Sequence, residues 1–98
     1  MKLKHSVRLL GIRPEMAVAL TVIDSLWPDL VVTSVIDSSH SVGSLHYVGA
    51  AADLRTRDLT LDEVHARVST LKDALGQDFD VVIEKSHVHV EYQPKREY

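Results

Sequence analysis

Four of the six histidines in this 98-residue chain fall in two short, well-separated stretches, His40 and His46 in the first and His87 and His89 in the second. Each stretch also carries a carboxylate at close spacing: Asp53 follows His46 by seven residues and Glu84 precedes His87 by three. Imidazole and carboxylate are the ligand types of a catalytic zinc, which takes three protein ligands and keeps a fourth position for water. A fold that uses these residues together must therefore carry both stretches to one surface, and this limits the chain more than any other feature.

Composition narrows the chemistry further. There is no cysteine, so disulfides and thiolate metal sites are excluded and any metal must be held by nitrogen and oxygen. With 98 residues and 45% hydrophobic content the chain reads as one domain over residues 1–98, of a size that folds alone with little margin. A bound metal would then support the fold as well as the chemistry. The net charge of −3, with Lys and Arg scattered and no phosphate-binding loop, argues against a nucleic-acid partner. Lys2 and Lys4 precede an apolar run, but Arg8, Gly11, Arg13 and Pro14 break it, so it is neither a signal peptide nor a membrane span. The expected location is cytoplasmic as synthesised, with no membrane partner.

The pattern along the chain predicts an α+β domain, a small antiparallel sheet with two helices on one face. Residues 1–13 read as a lead-in or edge strand. Pro14 suits the first position of a helix, and Met16, Leu20, Ile23 and Trp27 recur at helical spacing until Pro28 stops it. The β-branched run at 30–36 predicts a buried strand, followed by a polar loop over 37–44. Thr60 and Glu63 form a capping-box pattern, Val64, Val68, Leu71 and Leu75 line one face, and Gly76 stands where a helix-terminating glycine is expected. Residues 79–84 and 87–92 read as two strands turning at Lys85 and Ser86, a pair without the preferred Asn-Gly or Asp-Gly chemistry.

That hairpin has a geometric consequence. With Lys85 and Ser86 in the turn, Glu84 and His87 oppose each other with their side chains on one face, and strand alternation adds His89 to it. A solvated edge hairpin would explain one such residue more readily than all three. In the first stretch, His46 and Asp53 are separated by an odd number, which places them on opposite faces of an unbroken strand. Gly49 is the available bend, and Ala50, Ala51 and Ala52 leave room for close packing beneath a metal.

The compound pattern Ser44-x-His46-x-x-Gly49-x-Ala51-x-Asp53, with Glu84 and His87-x-His89 downstream, resembles the M15-type zinc peptidases of bacterial cell walls and their phages. That group unites lysostaphin-type enzymes, D-Ala-D-Ala metallopeptidases and the hedgehog signalling domain. The wording around His46, together with His40 and Ser41, is similar to hedgehog, whereas the size and the ending around His89 are closer to small phage or prophage peptidases. The matching segments, 33–55 and 81–92, cover about a third of the chain.

The resemblance implies a Zn2+ cofactor held by His46, Asp53 and His89. It makes Glu84 the general base for the water nucleophile and His87 a non-ligand that contacts the reacting carbonyl or its oxyanion. In the dipeptidase branch the pattern is Glu-x-x-His with that histidine as ligand, which would make His87 the third ligand instead; the His-x-His spelling favours His89. The implied reaction is hydrolysis of a peptide bond in a peptidoglycan stem or cross-link that contains D-residues, with release to the wall by lysis or a phage route. His40 is a candidate for orienting water or substrate, Ser44 and Tyr47 for supporting the ligands, and Arg13 or Arg55 for meeting a substrate carboxylate. His5 and His65 read as surface residues. Relatives of this type carry extra elements that wall the cleft, so a chain this short predicts a shallow site or one completed by another subunit. The rival expectation is a non-catalytic, zinc-stabilised binding or phage accessory module of hedgehog-like type. Retention of Glu84 favours the enzyme, because a purely structural site closes its fourth position.

Overall fold

The structure is a computed structural model that describes residues 1–35 and 49–94. Its elements are β1 (Lys2–Leu3), α1 (Pro14–Leu26), β2 (Val31–Ser34), β3 (Ala51–Arg55), α2 (Leu61–Leu75), β4 (Phe79–Ile83) and β5 (His87–Tyr92). They form a five-stranded sheet in the order β1-β2-β3-β5-β4 with two helices, an α+β arrangement.

Helix α1 begins at Pro14, whose missing N–H costs nothing in the first turn, and it ends before Pro28. Met16, Ala19, Leu20 and Ile23 form its buried stripe, and Trp27, just past its end, is buried with them. Helix α2 opens with the full capping box: the Glu63 N–H donates to Thr60 Oγ1 and the Thr60 N–H donates to Glu63 Oε1. It closes at Gly76, with Val64, Val68 and Leu71 buried along one side.

The sheet is mostly antiparallel, which corrects the expected all-antiparallel sheet at one edge. β1 runs parallel to β2. A parallel pair needs a crossover between its strands, and α1 supplies it. The predicted strand over 30–36 is shorter than expected, Val31–Ser34, and residue 36 lies outside the described residues. The hairpin forms as predicted, β4 pairing antiparallel with β5 around Lys85 and Ser86.

One core joins the helices to one face of the sheet. Val32, Ala52, Leu54, Val81, Val88 and Val90 meet Met16, Leu20, Ile23, Val64, Val68 and Leu71 in a single cluster. Strand alternation then turns Asp53, Arg55, His87, His89 and Glu91 to the opposite face. Among the described residues no helix is long and apolar enough to cross a membrane.

Candidate functional site

The polar face of the sheet is built on β3, its central strand, and on β5. The register pairs Ala51 with Glu91, Asp53 with His89 and Arg55 with His87. The Tyr92 N–H donates to the Ala50 carbonyl at 2.8 Å, which makes Ala50 and Tyr92 a hydrogen-bonded pair. The three pairs on the polar face therefore alternate into non-hydrogen-bonded positions, where opposed Cα atoms approach to about 4.5 Å and side chains come closest. Asp53 and His89 meet there directly, with Asp53 Oδ1 2.8 Å from His89 Nδ1. His87 reaches the same oxygen along the diagonal, its Nε2 3.5 Å away.

Around this pair, Thr33 Oγ1 donates to the Asp53 carbonyl at 3.4 Å, beside a bulge that shifts the β2–β3 register between Val32 and Ser34. His89 Nε2 lies 3.8 Å from Glu91 Oε1. His87 Nδ1 lies 3.3 Å from Ser86 Oγ. The Asp53 hydrogen bond holds the His89 imidazole above its ordinary pKa of 6.5. Partial burial works against this, and the charges of Asp53, Glu91 and Glu84 add to it.

The expected bend at Gly49 is present, since its φ is +71°. The backbone of residues 11–13 lies against it: a Cβ on Gly49 would stand 2.5 Å from the Gly11 carbonyl oxygen. The Arg13 N–H donates to the Gly49 carbonyl at 3.0 Å. Gly49 thus ties the lead-in to the entrance of β3. The alanines divide their work: Ala52 belongs to the helix-side core, while Ala51, fully buried, faces the site side opposite Glu91.

Of the expected site residues, the fold brings Asp53, His87 and His89 together, with Glu84 at the hairpin end of the same face. The Glu84 N–H donates to the His87 carbonyl at 2.8 Å, and its side chain is exposed. His40, Ser44, His46 and Tyr47 lie outside the described residues. Arg55 neighbours His87 across the strands, half-buried. Arg13 is exposed and lies 3.6 Å from Glu15, apart from the pairs of the polar face. His5 and His65 are exposed, as expected of surface residues. Sequence reasoning passed over Glu91 and Thr33. Strand parity carries the signal for Glu91, because it follows His89 by two on the same strand.

Among the described residues no three His, Asp or Glu side chains are disposed to hold a metal ion together. Asp53 and His89 nonetheless supply two donors of the right kind, side by side. Ligands at about 2.0–2.1 Å in a tetrahedral zinc site stand about 3.3 Å apart, so the 2.8 Å contact is a hydrogen bond that would widen by about 0.5 Å if a metal replaced the shared proton. This donor pair fits zinc, and the third expected ligand, His46, is in the segment outside the described residues. No family model matches the sequence, and no curated protein is significantly similar to it.

Proposed function

We propose that the chain is a zinc-dependent peptidase that hydrolyses peptide bonds of peptidoglycan, in a stem or cross-link containing D-residues. The observation that carries this reading is the convergence of Asp53 with His89 and His87 on one face of the central sheet, with Glu84 on the adjoining strand end. His46, Asp53 and His89 would hold the metal. The chemistry zinc supplies when bound is polarisation of an amide carbonyl and acidification of water towards neutral pH.

The remaining residues divide the proton work. Glu84, exposed at the end of the face, takes a proton from the water nucleophile on its carboxylate and delivers it to the leaving amine nitrogen. His87 would turn from its 3.5 Å contact with Asp53 to donate from Nε2 to the developing oxyanion, with Nδ1 kept beside the exposed Ser86 hydroxyl. Arg55, paired with His87 in the register, would meet a substrate carboxylate. The shorter contact of His89 to Asp53 supports it over His87 as the ligand, as the His-x-His spelling does.

The test is Glu84→Gln, measured on a synthetic stem peptide with zinc content determined in parallel. The variant is expected to hold as much zinc as the parent and to lose turnover by about 100-fold or more. Equal activity in parent and variant removes Glu84 as the base. Stoichiometric zinc without turnover in the parent moves the assignment to a zinc-stabilised binding module.

A further inference from the structure

The roles above leave the Glu91 carboxylate, beside His89 on the polar face, unassigned. Glu91 follows His89 by two residues on β5, and its side chain is only 22% exposed. Its cross-strand neighbours are Ala51, which has no polar side chain, and Asp80, a second carboxylate. A carboxylate held largely out of water beside a like charge is costly unless it faces a donor. Among the described residues the donor it faces is His89, whose Nε2 lies 3.8 Å from Glu91 Oε1 while Nδ1 meets Asp53.

We propose that Glu91 is the positioning residue for His89 as a zinc ligand. With zinc replacing the proton that Nδ1 shares with Asp53, Glu91 would keep the remaining proton on Nε2 and so hold Nδ1 as the donor nitrogen. The inference rests on the zinc reading above and extends it to a residue outside the motif. A ligand histidine commonly gives its other N–H to a carboxylate, which fixes the tautomer and ring orientation and strengthens the donor nitrogen. The same observation separates the two histidines of the His-x-His pair. His89 Nε2 has the largely buried Glu91 carboxylate at 3.8 Å, whereas His87 Nδ1 has the exposed Ser86 hydroxyl at 3.3 Å. Turning the His89 imidazole breaks its 2.8 Å contact to Asp53 and its contact to Glu91, whereas turning His87 breaks a longer, 3.5 Å contact to Asp53 and one to the exposed Ser86.

The experiment uses the full chain, its Glu91→Ala and Glu91→Gln variants, and zinc itself as the probe. Zinc affinity is measured by competition with a chelating indicator. The His89 ring nitrogens and the Nε2 proton are followed by 15N-edited NMR, and the melting temperature of each zinc-free protein reports on folding. In the parent, zinc should shift Nδ1 as the ligated nitrogen and leave a slowly exchanging proton on Nε2. Glu91→Ala should weaken zinc binding about 10–100-fold and lose that slowly exchanging proton. Glu91→Gln, which retains an acceptor oxygen, should recover most of the affinity. Parent and Glu91→Ala binding zinc equally well, with the same ring signals, would overturn the positioning role and leave the metal site standing. Zinc that leaves the parent's His89 ring unchanged would remove both.

Discussion

Replacing Gly49 with alanine separates steric from conformational control at the entrance to the site strand. The added methyl would stand 2.5 Å from the Gly11 carbonyl oxygen, 2.9 Å from the Ile12 Cα and 3.1 Å from the Arg13 nitrogen. All three are backbone atoms, so relief requires segment 11–13 to move, and the 3.0 Å bond from the Arg13 N–H to the Gly49 carbonyl is lost with it. An L-residue at φ +71° carries about 1–2 kcal/mol of strain. The lost hydrogen bond adds about 1 kcal/mol, and displaced packing adds about 1–3 kcal/mol. The expected cost is about 3–6 kcal/mol, a large share of the roughly 5–15 kcal/mol that holds a domain together. At about 4–8 °C per kcal/mol for a domain of this size, the melting temperature should fall by at least about 12 °C. Urea unfolding followed through Trp27, the chain's single tryptophan and buried in the core, reads the change. The control is Gly76→Ala: Gly76 has φ +82° but no atom within 4 Å of the added Cβ, so backbone strain of about 1–3 kcal/mol acts alone. A Gly49→Ala protein no less stable than Gly76→Ala would refute the close-approach argument.

Four other perturbations follow from the same structure. Thr60→Ala removes the α2 cap and should cost about 1 kcal/mol in denaturant unfolding. The Thr60 backbone N–H and side chain lower the Glu63 pKa, so that carboxylate's contribution is present above its ordinary value of 4.5 and fades as pH falls through the lowered one; the pH dependence of unfolding in Glu63→Gln should lack this component. In zinc-free protein the His89 pKa is raised, so the imidazolium pair with Asp53 stabilises fully below about pH 6.5 and is lost as pH rises through the raised value. Asp53→Asn removes the largest cause of that shift and should flatten the slope in unfolding measured across pH, and an unchanged slope would contradict the pairing. If Arg55 meets a substrate carboxylate, amidating a peptide's C-terminus should lower kcat/KM in the parent and leave Arg55→Gln nearly indifferent, whereas equal discrimination by both proteins would exclude the role.

Much of this arrangement is legible in the chain because local signals agree with tertiary ones. Thr60, Glu63 and the apolar row from Val64 to Leu71 specify α2 at both levels, and Pro14 and Pro28 bracket α1. The shared face of Glu84, His87 and His89 follows from a two-residue turn and period-2 alternation, which survive the unfavourable turn chemistry of Lys85 and Ser86. The parallel edge is not legible, since β1 has two residues and its pairing depends on where α1 returns the chain. Nor is β3 as a strand: its alanines at 51 and 52 carry little β propensity, and its place is set by pairing to β2 and β5. Pairing Asp53 opposite His89 needs that register, which no local spacing provides. Glu91 was open to the same parity argument as His89, but it lies one alternation beyond the His-x-His pattern that draws attention.

The most direct test of the central claim is digestion of purified peptidoglycan by the zinc-loaded protein beside a chelated sample, with products resolved by mass. Soluble fragments that differ from the substrate by hydrolysis of one peptide bond, absent after chelation and restored by zinc, are the predicted result. Intact peptidoglycan in every sample, from protein that carries one zinc at Asp53 and His89, would contradict the assignment of a peptidase.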